Sequence, residues 1–255
     1  MIAETLYNSG SRQWTFFGRD PDKKKELIDT NTYLVTQGKA GVVLDPGGLE
    51  TFPEIVSIIS KKIDLQDIEA LFASHQDPDI ISSLSLWLEI CGDLKVYASW
   101  VWGGFIPHFG GGKALTPIPD EGGILELGDS RDLQFIPAHY LHSSGNFNLY
   151  DPTAQILFSG DIGGALLPEG AAGIYVEDFD EHVRYMEGFH RRWMPSNQAK
   201  DAWIEHVSRL NVTTMCPQHG SIFRGDQVKR FLEWFHNLEV GSAVDANKGQ
   251  RRKTR

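Results

Sequence analysis

The chain has 255 residues, 41% of them hydrophobic and 23% charged, which suits one or two globular domains with a sizeable core. A formal net charge of −10 at pH 7 repels phosphate backbones and argues against nucleic acid as a partner. No apolar run approaches the roughly 20 residues of a membrane span, Met1–Thr15 lacks the order of a signal peptide, and Cys91 and Cys216 demand no disulfide, so no membrane partner and a reducing cytoplasm are expected.

No element is assigned before Thr32. Thr32–Thr36 and Gly41–Asp45 are β-rich runs joined by a short turn at Gly38, the pattern of a hairpin. Asp45-Pro46-Gly47-Gly48 stops the second strand. A helix is expected over Phe52–Ile63, with Ile55, Ile58, Ile59 and Ile63 on one face. Ile68–Ser74 is a short apolar strand that runs straight into His75. Pro78 stands in a first helical turn, where its missing N–H costs nothing. Ile80, Leu84, Leu86, Trp87 and Ile90 give that helix an apolar face, and Gly92 ends it.

Lys95–Ala98 is a further strand, followed from Trp100 to Glu121 by a loop rich in Gly, Pro and aromatics. The second half repeats the plan. Strands are expected at Gly123–Leu127, Leu133–Pro137, Asn146–Tyr150, Gln155–Phe158 and Thr213–Met215. Helices are expected at Asp180–Arg191, Gln198–Leu210 and Gln227–Asn237. Strands and helices alternating with mixed connections indicate an α/β layered fold. The pattern reads as one domain over residues 1–240 and a flexible basic tail over 241–255, closing on Arg251, Arg252, Lys253 and Arg255.

Five strand ends carry groups that bind metals. In His75-Gln76-Asp77-Pro78-Asp79, residues two apart on an extended loop point the same way. His75 and Asp77 can therefore grip one metal while Asp79, at a helix start, turns toward a second. Pro137-Ala138-His139-Tyr140-Leu141-His142 ends a strand in two histidines. Phe158-Ser159-Gly160-Asp161 ends an apolar strand in a carboxylate suited to bridge two cations. Cys216-Pro217-Gln218-His219-Gly220 puts a histidine on a tight turn. Asp45, after Val42-Val43-Leu44, reads as a carboxylate that orients a ligand from behind. A lone histidine or a Ser-Gly-Asp turn is usually plain loop chemistry; the order and type of all five together is what points to a metal site.

On these residues the sequence resembles the metallo-β-lactamase superfamily, from about Thr32 to His219. The superfamily's usual first motif is H-x-H-x-D-H; here it is His75-Gln76-Asp77-Pro78-Asp79-Ile80, with Asp77 in place of the second histidine and Ile80 in place of the last. A carboxylate at the second position is the habit of the flavodiiron branch, which reduces dioxygen or nitric oxide. The match is closer to stand-alone oxygen-binding di-iron proteins. Leu141-His142, Leu157-Phe158-Ser159-x-Asp161 and Cys216-Pro217-x-His219-Gly220 also look like flavodiiron segments.

The resemblance implies an αββα sandwich of two mixed β-sheets flanked by helices. It implies His75, Asp77 and His142 on one iron, Asp79 and His219 on the other, and Asp161 bridging the two, with Asp45 behind. His139 has no assured counterpart: it is a pocket residue or an ordinary packed histidine. Tyr140, beside His142, either nears the metals or is structural. Ile80 removes a donor and leaves room for dioxygen, nitric oxide or water; its plain reading is the start of its helix's apolar face. Loops placed as Trp100–Phe109 is can cover an active site, although such aromatics mostly pack, and His108 stands among them.

Histidines with several carboxylates form a hard ligand set suited to iron or manganese, although zinc tolerates Asp. Two iron ions are the expected cofactors, with zinc or manganese as alternatives. Thirty-six residues follow His219 (255 − 219) and no Cys-x-x-Cys pair occurs, so no flavin domain or rubredoxin-like centre is expected in this chain. The leading expectation is a dioxygen-binding or sensing protein, or the di-iron half of an oxygen or nitric oxide reductase fed by a separate flavoprotein. A signalling partner suits the first. A two-zinc hydrolase is the alternative, with Asp77 and Ile80 against it; a decayed interaction module is a third reading. A homodimer is compatible with the sequence.

Overall fold

The computed structural model describes residues 1–18, 26–109 and 114–248. In chain order its elements are β1 Ile2–Asn8, β2 Arg12–Gly18, β3 Thr32–Gln37, β4 Ala40–Leu44, α1 Phe52–Ile59, β5 Ile68–Phe72, α2 Pro78–Ile81, α3 Leu84–Ile90, β6 Lys95–Ser99 and β7 Leu115–Ile118. There follow β8 Gly123–Leu127, β9 Ser130–Pro137, β10 Phe147–Asp151, β11 Ile156–Gly160, α4 Phe179–Trp193, α5 Asn197–Val207, β12 Thr214–Pro217, β13 Phe223–Arg224 and α6 Asp226–Asn237.

The strands form two mixed sheets, one in the order β1-β2-β3-β4-β5-β6-β7 and one in the order β13-β12-β11-β10-β9-β8. Period-two alternation assigns each side chain to a layer. Tyr33, Val35, Val42, Leu44 and Phe72 of the first sheet meet Phe135, Phe147, Leu149 and Phe158 of the second in one apolar layer. Leu34, Val43 and Leu71 point the other way, onto Ile55 and Ile59 of α1 and Trp87 of α3. Leu157 and Met215 point away from the shared layer and pack with Met186, Trp203, Phe231 and Phe235 of the later helices. Helices, sheet, sheet, helices is the αββα sandwich expected from the resemblance.

Four features differ from the sequence reading. β1 and β2 form an antiparallel hairpin, Ile2 against Gly18, although their Asn8-Ser9-Gly10 turn signal was there to be read. α1 closes at Ile59, with only isolated turn bonds such as Ile63 N–H to Ile59 O continuing it. The helix expected from Pro78 to Gly92 is broken, because Ser83 turns its Oγ onto the Gly47 carbonyl (2.6 Å), and such a side-chain bond to backbone competes with the helix. β7 holds Pro117, which masks a strand in sequence but is tolerated on an edge. At the C-terminus, Ser242 N–H donates to Arg191 O (2.9 Å). The basic run from Arg251 lies outside the described residues.

Candidate metal centre

β4, β5, β9, β11 and β12 all deliver their C-terminal ends to one rim of the sandwich. Asp45, His75, His142, Asp161 and His219 stand just past those ends. The two sheets are joined there, since Phe147 N–H at the start of β10 donates to Ser74 O (3.0 Å). The turn carrying His142 contains a cis Leu141–His142 peptide. Asn146 Nδ2 donates to the Leu141 carbonyl inside that turn. Gly220 (φ +77°) follows His219 because a Cβ there would sit 2.6 Å from Ala165 Cβ.

Two groups of donors face each other across Asp161. His75 Nε2 lies 3.6 Å from Asp77 Oδ2 and 3.5 Å from Asp161 Oδ2. His142 Nε2 lies 3.5 Å from Asp77 Oδ2 and 2.8 Å from Asp161 Oδ2. One ligand atom each of His75, Asp77 and His142 falls within 4.8 Å of the others. On the other side, His219 Nε2 lies 3.4 Å from Asp79 Oδ2 and 3.5 Å from Asp161 Oδ1. Asp161 thus turns one oxygen to each group.

Neighbours fix which nitrogen of each histidine faces in. Ser74 Oγ donates to Asp45 Oδ2 (2.8 Å) and so accepts from His75 Nδ1 (3.0 Å), which turns His75 Nε2 inward as the atom available to a metal. Ser74 N–H also donates to Asp45 Oδ1 (2.7 Å). His219 Nδ1 bonds the Asp29 carbonyl (2.9 Å), which likewise frees its Nε2. Gln218 Nε2 donates to Asp79 Oδ2 (3.3 Å) and Gln76 Nε2 to Asp77 Oδ1 (3.0 Å). Asn31 Nδ2 holds the turn of His219 through the Pro217 and Gly220 carbonyls, both at 2.9 Å.

The electrostatics ask for positive charge. Burial opposes ionisation of Asp161, but His75, His142 and His219 overcome it and hold its pKa well below the carboxylate range. Burial likewise opposes charge on His75, yet Asp161 and Asp77 raise its pKa well above the usual value. Burial lifts Asp79, and burial lifts Asp45 to about 7. His75 Nε2 and Asp161 Oδ1 are buried without a hydrogen-bond partner among the described residues. Native interiors rarely leave such atoms unsatisfied. Nitrogen and oxygen atoms converging at 2.8–3.6 Å match the spacing of ligands about 2.0–2.2 Å from a shared cation. These residues fit a pair of metal ions, and oxygen-rich donors favour a hard one.

Of the ten residues singled out in sequence, His75, Asp77, Asp79, His142, Asp161 and His219 converge, with Asp45 behind His75. Ile80 is fully buried in the apolar layer against α1 and α3. His139 turns away, its Nε2 2.9 Å from the Asp120 carbonyl and its ring edge on Phe147. Tyr140 is 55% exposed, and His108 is exposed. Trp102 ties its loop to the His142 turn through Gly145 O (3.3 Å), while Trp100 and Phe105 face solvent. The rings beside the ligands come instead from α4: Trp193 meets His142 at 5.2 Å, and Phe189 meets His219 at 6.4 Å. Ordinary helix periodicity hid them.

Comparison with known proteins follows the same lines. A family model described as "ODP family beta lactamase" matches residues 28–220. A structure of a peroxy diiron species of the chemotaxis sensor ODP is 38% identical, with a TM-score of 0.87 over 97% of this chain and 100% of that one. The apo state of chemotaxis sensor ODP from T. denticola gives the same identity and TM-score, covering 97% of this chain and 98% of its own. A flavo di-iron protein variant from Thermotoga maritima shares the fold at 23% identity and a TM-score of 0.78, over 92% of this chain and 60% of that one. Diflavin flavoprotein A 1 of Synechocystis is 25% identical over 80% of this chain and 36% of its own length. An uncharacterized protein of Methanocaldococcus jannaschii is 26% identical over 84% of this chain and 55% of its own. The chain spans about half or less of the curated relatives it matches.

Proposed function

The chain belongs to the ODP beta-lactamase family, and on that premise we propose that it holds two iron ions across Asp161 and binds dioxygen there as a sensor. The observation that carries the reading is the pair of Asp161 oxygens turned toward separate donor groups, Oδ2 to His75 and His142 and Oδ1 to His219.

His75, Asp77 and His142 would hold one ion, Asp79 and His219 the other, and Asp161 both. Two ferrous ions, when bound, supply the reducing electrons that make dioxygen a ligand. The protein's own residues do the rest. Ser74 and the Asp29 carbonyl hold the Nδ1 protons of His75 and His219, so both imidazoles present Nε2 without rotating. Gln76 and Gln218 hold Asp77 and Asp79 by one oxygen each. Phe189 and Trp193 limit water around His142 and His219. Ile80, packed in hydrocarbon, supplies no donor. Reduction of dioxygen beyond a single binding event would need electrons from a separate donor, such as a flavoprotein.

The test is iron and zinc content of protein from cells given both metals, followed by oxygen uptake of the reduced protein with NADH. Close to two iron ions per chain and a single uptake per site are expected. Near-stoichiometric zinc with negligible iron overturns the iron reading in favour of a hydrolase. Rapid multiple turnover with NADH alone overturns the sensor reading, and turnover only with an added flavoprotein makes the chain half of a split reductase.

A further inference from the structure

Helix α4 reaches the centre at three places. Phe189 sets its ring against His142 (6.5 Å) and His219 (6.4 Å). Trp193 stacks on Phe189 (5.9 Å) and covers His142. Between them His190 faces away from the ligands, into a box formed by the rings of Phe231, Trp234 and Phe235 at 5.3–6.0 Å, and is fully buried.

An imidazole in an aromatic box needs both nitrogens satisfied, or its burial is costly. His190 Nδ1 lies 2.8 Å from the Met186 carbonyl, which can only accept, so Nδ1 carries the hydrogen. Nε2 is then a lone pair, and it accepts the Gly163 N–H at 3.0 Å. Burial drives the pKa down to about 4, so the ring stays neutral. A phenylalanine would fill the same box with no polar cost, yet would offer that N–H nothing.

The N–H it accepts belongs to the turn that presents Asp161. Ile162 N–H closes on Ser159 O (3.1 Å), Gly164 N–H on Asp161 O (2.9 Å), and Ser159 Oγ on Ile162 O (2.6 Å). Gly163 N–H instead leaves the turn for α4. Gly163 has φ +86°, and a Cβ there would stand 2.7 Å from Met215 Cε, so the turn has little room to drift toward β12. We infer that His190 is a positioning residue for Asp161: by accepting the Gly163 N–H it sets the turn so that both carboxylate oxygens face their separate donor groups at once. The inference rests on reading Asp161 as the bridging ligand.

Three variants and one direct measurement test it. His190→Phe fills the box without an acceptor, His190→Gln keeps one, and Phe231→Leu loosens the same box without touching Gly163. Apo protein is titrated with Co²⁺, reading the affinity of each position and, by EPR, the magnetic coupling between the two ions. His190→Phe should weaken binding about 10- to 100-fold, the usual effect of losing a partner behind a ligand, and alter the coupling. His190→Gln should recover most of the affinity, and Phe231→Leu should lower Tm while keeping wild-type Co²⁺ affinity. Wild-type affinity and coupling in His190→Phe overturn the inference, as does an equal loss in Phe231→Leu. Independently of any variant's folding, a through-hydrogen-bond ¹⁵N–¹⁵N coupling between Gly163 and His190 is expected in labelled wild-type protein, with the Gly163 amide shifting on Zn²⁺ saturation. A protonated Nε2, no coupling, or an unmoved amide overturns it. A wild-type chain that takes two zinc ions but no iron defeats the proposed function and leaves this inference standing.

Discussion

The two ends of the sandwich each bury a cluster of charges between the same two sheets, and they differ in one respect. At the end away from the candidate centre, Arg12 donates to Gln37 (2.9 Å), Asp151 (2.8 Å), Ser130 (2.6 Å) and Asp132 (2.8 Å). Asp151 Oδ2 also accepts from Trp14 Nε1 (2.7 Å), and its Oδ1 accepts from the amides of Thr153 and Ala154 (2.9 and 3.1 Å). Against the burial that would raise it, hydrogen bonds from Ser130, Arg12 and Thr153 hold Asp132 down to about 2. At the other end, past Phe147 on the same β10, His75 Nε2 and Asp161 Oδ1 are buried without hydrogen bonds among the described residues. The first cluster is closed by its own donors and acceptors; the second is closed only by a cation. Burial and charge are common to both clusters; what separates these two is whether the protein's own groups satisfy the buried atoms.

Breaking the closed end should have the largest effect on folding. Arg12→Leu leaves Asp151 buried without its cation, a change that costs about 3–5 kcal/mol, with metal content per folded chain unchanged. Urea denaturation of the chelated protein and metal analysis of the folded fraction measure the two quantities. Metal loss in folded Arg12→Leu would show that the ends are not independent.

At the open end, Asp161→Ala should strip metal from both positions while the apo chain folds as well as wild type or better. Chelator should lower the stability of wild type by about 4 kcal/mol for each position where free metal stood near a thousand times its Kd, and leave Asp161→Ala unmoved. Calorimetry with and without chelator reads this; an equal chelator effect on both proteins would remove Asp161 from the centre.

A pH scan of the chelated protein probes the support behind the open end, since His190 is buried and neutral while the unfolded chain has an ordinary histidine there. With its folded pKa lowered from 6.5 to about 4, the unfolded state takes up a proton that the folded state refuses as pH falls through that range. Stability therefore drops between pH 6.5 and 4 and levels off below, by roughly 3 kcal/mol for this one group. His190→Gln should flatten that part of the difference curve; identical slopes would contradict the neutral, buried imidazole. The smallest effect should come from His139→Ala, which keeps both metals, because the ring lies against Phe147 and Asp120 rather than the ligands. Metal loss matching that of Asp161→Ala would misplace the ligand turn.

What could be read in the sequence was what has a local signature. An apolar strand that stops on His75, Asp161 or His219 announces itself, and the spacing of Asp77 and Asp79 follows from extended geometry. The sheet layers were legible because Val42, Val43 and Leu44 must face opposite ways. Partners set by long-range geometry were not legible. Asn31, Gln218 and Ser74 act through carbonyls or carboxylates that only folding brings near, and His190 lies 27 residues from the Gly163 it serves. The Trp100–Phe109 loop drew notice by composition, whereas Phe189 and Trp193, on an ordinary amphipathic helix, are the rings beside His142. Pro117 concealed β7, and Ser83 broke a helix whose apolar spacing alone would have continued it.

The first sheet has two open margins, and each carries a guard. β1 is the outermost strand on one side, with a register shift between Thr5 and Tyr7 and Glu4 exposed at its middle. β7 is the outermost on the other, four residues long with Pro117 inside it. A bulge, a charge and a residue without an N–H are the devices that keep strand margins from templating another chain. A crowded solution of this protein should therefore resist growing its first sheet from molecule to molecule, and the hairpin without an expected element in the sequence is half of that protection against aggregation.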